Sequence, residues 1–125
     1  MISPTVRPVA SATPVAGVVP TATATPYPSR TGVDFDDDPD YILRPTYRTL
    51  QAGQVEFLPV NFGMDPHNLT VASTSGHVYG AVDLPPDQQT YSLTLTLPAG
   101  TYRLYCSLPG HAAAGMDTTI TLNGP

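Results

Sequence analysis

Tyr105-Cys106-Ser107-Leu108-Pro109-Gly110-His111-Ala112-Ala113-Ala114-Gly115-Met116 contains the only cysteine of the 125-residue chain and decides how the rest is read. Cys106, His111 and Met116 recur at intervals of five, so one short loop offers a thiolate, an imidazole and a thioether. His67 lies upstream as a fourth donor. One soft thiolate, two imidazoles and a weak thioether form the donor set of a trigonal His₂Cys copper site with a long axial methionine. A structural zinc site wants several cysteines at short spacing, which a single cysteine cannot supply.

The segments flanking this loop alternate with the period of a strand. Tyr91-Ser92-Leu93-Thr94-Leu95-Thr96-Leu97 places leucines on one face and hydroxyl residues on the other. Pro98-Ala99-Gly100 predicts a turn, after which Thr101 to Cys106 is expected to pair back as a hairpin. Side chains two apart on a strand share a face, so Leu104 and Cys106 point together into one end of the core. Thr118 to Leu122 predicts the last strand, with Ile120 and Leu122 inward.

Upstream, Tyr41-Ile42-Leu43 and Tyr47-Arg48-Thr49-Leu50 predict short strands divided by Pro45. Val55 to Phe62 predicts another, which Pro59 is expected to kink or place at an edge. Gly63-Met64-Asp65-Pro66 reads as a loop, and His67 opens a strand running to Ala72. Thr74 to Gln89, carrying Gly76, Gly80, Pro85 and Pro86, reads as a long crossing loop. Seven or so short strands and no amphipathic helix predict an all-β fold, a two-sheet antiparallel Greek-key β-sandwich.

Over roughly Tyr47 to Leu122 the chain resembles the cupredoxins, the small blue copper proteins of the plastocyanin, azurin and rusticyanin group. The likeness rests on Asp65-Pro66-His67-Asn68-Leu69-Thr70-Val71, on Pro98-Ala99-Gly100-Thr101-Tyr102 leading into Tyr105-Cys106, and on Pro109-Gly110-His111 with Gly115-Met116. It implies that His67, Cys106 and His111 are in-plane ligands of one type 1 copper and that Met116 is the axial one. Four residues separate Cys106 from His111, against two in plastocyanin, which is similar to the rusticyanin type. Plastocyanin's potential and partners are therefore not carried over. The resemblance further implies that Asn68 ties the two ligand loops together around Ser107 and Cys106. It also implies that the edge of His111, rimmed by Pro109, Ala112, Ala113 and Met64, is where electrons leave. Tyr105 resembles a residue near a second electron route and reads equally well as an outward-packing strand residue. His77 has no matching ligand and reads as a loop histidine.

The remaining sequence bounds the setting. Residues 1–33 are rich in Pro, Thr and Ala, with prolines at positions 4, 8, 14, 20, 26 and 28, and predict a disordered, partly extended spacer ahead of a copper-binding domain over 34–125. No apolar run is long enough to span a membrane and no charged leader precedes an apolar core, so the spacer is expected to tether the domain to an anchor in a longer precursor. The net charge is −5, all five basic residues are arginines, and nothing forms a basic patch, which argues against nucleic acid as a partner. Asp34-Phe35-Asp36-Asp37-Asp38-Pro39-Asp40 reads as a solvated linker between spacer and domain. A lone cysteine excludes an internal disulfide.

Four protein ligands leave no open metal position for a substrate, so no enzyme activity is expected. The expected role is a monomeric one-electron carrier between redox protein partners, on the periplasmic or extracellular face of a membrane. The alternative is copper storage or delivery, which favours exposed, exchangeable Met- or His-rich ligands. Three methionines in all, with only Met116 well placed, favour the carrier.

Overall fold

The computed structural model describes residues 27–124. Most of the expected spacer therefore lies outside the described residues. Nine strands are found among them: β1 (Arg30–Asp36), β2 (Ile42–Pro45), β3 (Thr49–Gln51), β4 (Gly53–Asn61), β5 (His67–Ser73), β6 (Val78–Leu84), β7 (Leu93–Leu97), β8 (Gly100–Tyr105) and β9 (Asp117–Asn123). A single helical turn, α1 (His111–Ala114), joins the last two. The strands form two sheets, ordered β2-β1-β4-β7 and β3-β9-β8-β5-β6.

The expected β-sandwich is present, with side chains of period two filling the space between the sheets. Val33, Phe35, Leu43, Val55 and Phe57 face inward from the first sheet, and Leu50, Leu69, Val71, Leu104, Ile120 and Leu122 from the second. Pairing is not purely antiparallel, however. Strand β1 runs parallel to β4, and β3 parallel to β9, so both sheets are mixed.

Strand β1 is the principal addition to the sequence reading. It starts at Arg30 and crosses the expected boundary between residues 33 and 34. Thr31, Val33 and Phe35 are buried while Asp34 and Asp36 point away from the core, so the first half of the acidic run is an alternating strand, not a linker. The density of carboxylates masks a period of two.

Three other expectations are corrected. Val78 to Leu84, read as part of a loop, is the edge strand β6, with Gly80, Val82 and Leu84 on its inner face. Gly80 weakens that alternation; a Cβ there would lie 2.9 Å from Cδ2 of Leu95 across the sandwich, so the tip of that leucine would have to shift. Pro59 does not interrupt β4. Its carbonyl accepts from the Tyr91 amide just before β7 and Val60 bridges Thr90, so its missing N–H falls outside the regular β4–β7 register, which stops at Phe57 and Leu93.

Strands β7 and β8 do not form a hairpin. They lie in opposite sheets, and Pro98-Ala99 carries the chain from one layer to the other because the leucines of β7 and the inward Tyr102 and Leu104 of β8 cover the core from opposite sides. The Tyr102 hydroxyl donates to the Pro98 carbonyl at 2.6 Å and fixes this corner. Tyr102→Phe is expected to cost about 1 kcal/mol, the net worth of one such bond, in a urea unfolding measurement on metal-free protein.

The topology gathers the C-terminal ends of β1, β4 and β8 with the N-terminal ends of β2, β5 and β9 at one end of the sandwich. Every donor singled out from the sequence comes from that end.

Candidate metal centre

His67 is the first residue of β5, Cys106 follows the last residue of β8, and His111 opens α1 in the loop returning to β9. Nδ1 of His67 lies 3.1 Å from Nδ1 of His111, and Sγ of Cys106 lies 3.5 Å from the same His111 nitrogen. All three donor atoms fall within 4.8 Å of one another. Imidazole nitrogens sit about 2.0–2.1 Å from a divalent first-row ion, which separates a pair sharing one ion by roughly 3.4–3.6 Å. The observed spacing is close to that without rearrangement.

Burial sharpens the chemistry. Cys106 is fully buried and His67 is 2% exposed, whereas His111 is half-buried. Met116 is fully buried in the same apolar cluster as Cys106. The Cys106 amide donates to the Met116 carbonyl and the Met116 amide to the His111 carbonyl, each at 3.1 Å, so backbone bonds close the loop on itself. Two nitrogens and a thiol converging at a largely buried site, with a thioether in the same apolar cluster, suit a soft-ligand copper centre.

Asn68 lies beside Ser107, as expected. Its amide nitrogen donates to Ser107 Oγ at 2.8 Å, and its carbonyl oxygen accepts from the Ser107 backbone at 3.0 Å. The Thr70 hydroxyl donates to that carbonyl oxygen at 2.9 Å and holds the amide in this orientation. The β5 end is thereby locked to the residue following Cys106.

Three residues at this end escape the sequence reading. The Asp37 carboxylate, 4% exposed, lies 2.8 Å from Nε2 of His67 and accepts from the backbone amides of Met64 and Asp65 at 2.9 Å each. Burial pushes the Asp37 carboxyl up, but the bonds from Met64, Asp65 and His67 outweigh it and hold it below the usual carboxylate range. Asn61, fully buried, donates to the carbonyls of Asp65 and Leu84 and accepts from the Gly63 amide. Tyr41 presents its ring edge-on to both imidazoles, with centroids 4.8 Å from His111 and 5.9 Å from His67, and its hydroxyl donates to Asp65 at 2.9 Å. No local pattern marks these positions. Each has a partner more than twenty residues away in the chain: His67 for Asp37, Leu84 for Asn61 and Asp65 for Tyr41.

The expected rim is at the surface: Pro109 and Ala113 are exposed, Ala112 is half-buried and Met64 is 77% exposed. Phe62, two residues before Met64, is 47% exposed as well. Tyr105 is half-buried, and Arg103, paired bidentately with Asp117, lies 3.8 Å over its ring. His77 sits at the far end of β5, edge-on to Tyr79, away from the other donors.

Comparison with known proteins agrees with this geometry. The profile of copper binding proteins, plastocyanin/azurin family, matches residues 41–123. No curated protein matches the sequence. Among solved structures, the dithionite-reduced auracyanin of the photosynthetic bacterium Roseiflexus castenholzii superposes with a TM-score of 0.63 at 18% identity, over 78% of this chain and 98% of that one. Auracyanin A, a "blue" copper protein of the green thermophilic photosynthetic bacterium Chloroflexus aurantiacus, gives 0.59 at 19% identity, over 75% and 99%. At these identities the likeness is one of fold.

Proposed function

Because the chain belongs to the plastocyanin/azurin family of copper-binding proteins, we propose that it is a blue copper electron carrier, with one ion held by His67, Cys106, His111 and Met116. The observation that carries this reading is the convergence of His67, Cys106 and His111 donor atoms within 4.8 Å, two of the three residues being buried. Bound copper supplies a Cu(II)/Cu(I) couple at a site with no open position for a reactant. The protein's part is to hold the donors still. His67 is fixed by β5, Cys106 by the hydrogen bond its backbone N–H donates to the Met116 carbonyl, and the two ligand segments by Asn68 and Ser107. Donors held this firmly do not need to reorganise when the charge of the site changes. That rigidity suits a carrier.

His111 is the ligand nearest the surface, and electrons pass through its edge and the rim of Pro109, Ala112, Ala113 and Met64 to a redox protein partner. Small, apolar rims suit brief encounters, which bury little area and release quickly. Burial of Cys106 and His67 works against rapid metal exchange, and so against the copper-delivery alternative. We place the working protein as a monomer outside the cytoplasm, on the periplasmic or extracellular face of a membrane. The Pro/Thr/Ala-rich residues ahead of β1 serve there as a spacer. Among the described residues no helix is long and apolar enough to cross a membrane.

The test is a titration of metal-free protein with Cu(II), followed by visible absorption and then by ascorbate. One equivalent should develop an intense band toward the red end, bleached by ascorbate and restored by reoxidation. A protein that binds copper but stays colourless would overturn the carrier reading. Asn68→Ala, which removes the tie to Ser107, is expected to weaken copper affinity about tenfold and to shift the reduction potential. Competition with a calibrated chelator and a spectroelectrochemical titration measure the two effects.

A further inference from the structure

Asp37 lies thirty residues before His67 in a run of acids, yet its carboxylate is buried against that imidazole. Three donors converge on it. Oδ2 receives His67 Nε2 at 2.8 Å and the Asp65 amide at 2.9 Å, and Oδ1 receives the Met64 amide at 2.9 Å. The approach is possible only because residue 63 is glycine: a Cβ there would overlap the carboxylate. On its other sides the His67 ring is stacked on Phe35, with centroids 6.1 Å apart and planes 22° apart, and is flanked by the edge of Tyr41. The ring is held on three sides, and among the described residues only Asp37 bonds to its outer nitrogen.

From these contacts we propose that Asp37 is the positioning residue of the copper centre, fixing the His67 ring and tautomer through Nε2 and biasing the site toward Cu(II). The inference rests on the copper-carrier reading above. An ionised carboxylate only accepts hydrogen bonds, so the proton of a neutral His67 resides on Nε2. The lone pair of Nδ1 then faces His111 and Cys106, where a metal needs it. A carboxylate behind a ligating imidazole makes it a stronger donor. Its buried negative charge stabilises the more positive oxidation state and so lowers the reduction potential. The same carboxylate draws the Met64 and Asp65 amides inward, so the loop before His67 is shaped before any metal arrives. A segment read as linker is in this way part of the site's electrostatics.

Asp37→Asn separates charge from geometry. The amide oxygen can take the place of Oδ2, which lies 3.1 Å from the Met64 amide as well as bonding Asp65 and His67, so the ring stays held while the charge is lost. Its ratio of Cu(II) to Cu(I) affinity is expected to fall about tenfold, a rise in potential of about 59 mV for one electron. Asp37→Ala removes both effects. In metal-free protein, long-range proton–nitrogen spectra should show wild-type and Asp37→Asn His67 protonated on Nε2, and Asp37→Ala a mixture of tautomers. His67 protonated chiefly on Nδ1 in metal-free wild type would overturn the proposal, as would an unchanged potential in Asp37→Asn. If Asp37→Ala does not fold, the wild-type tautomer and the Asp37→Asn potential still decide the matter. A wild-type protein that never turns blue would refute the carrier reading instead, and the tautomer measurement needs no copper.

Discussion

Cys106→Ser is expected to abolish the intense visible band of the copper-loaded protein completely while leaving a folded sandwich. The band of a blue copper site arises from charge transfer between thiolate sulfur and Cu(II), and this chain has no second cysteine to replace the first. Serine is close in shape, so the fully buried position stays filled. Its hydroxyl is a hard, weak donor that a soft site does not favour. Metal-free Cys106→Ser should lose only about 1–3 kcal/mol, the cost of a buried hydroxyl with poor partners. Visible absorption of the copper-loaded variant, with urea unfolding of the metal-free form, reads both effects. A band of wild-type intensity in Cys106→Ser would show that the thiolate is not a ligand.

Gly115→Ala is expected to be the most damaging single-methyl change near the site. Gly115 has φ +137°, a conformation that L side chains rarely adopt, and a Cβ there would overlap the backbone carbonyl oxygen of Tyr41. Neither problem can be relieved by turning a side chain, because the obstacle is main chain. The strained conformation and the overlap together should cost about 3 kcal/mol. The adjoining residue is Met116, and Tyr41 packs on His111, so any yielding of the backbone displaces both. Gly53→Ala supplies the control. Gly53 has φ +116° with nothing within 4 Å of where a methyl group would stand, so it tests the conformational cost alone, about 1 kcal/mol. Equal losses at the two positions in urea unfolding would show that the contact with Tyr41 contributes nothing.

The donors and most strands are legible because their signals are local. The clean alternation of Leu93, Leu95 and Leu97 and the five-residue spacing of Cys106, His111 and Met116 need no partner to be recognised. Strand β6 is hidden because Gly80 occupies an inward position, where the tips of Leu93 and Leu95 from the opposite sheet fill the space a side chain would take. Strand β1 is hidden because Asp34 and Asp36 give its outward face the character of a charged linker, with Val33 and Phe35 between them. The β7–β8 connection misleads differently: a tight turn between two strands has the same appearance whether it closes a hairpin or crosses between layers.

The sequence by itself determined the metal chemistry, the β class and the family likeness, since each follows from residue types at short, countable separations. Tertiary structure alone decided what surrounds His67. Asp37, Tyr41 and Asn61 become neighbours of the site only when β1 and β4 end, and β2 begins, beside the start of β5. The physical reason is that side-chain hydrogen bonds act over about 3 Å, whereas a separation of thirty positions between Asp37 and His67 leaves no trace of that distance in the chain.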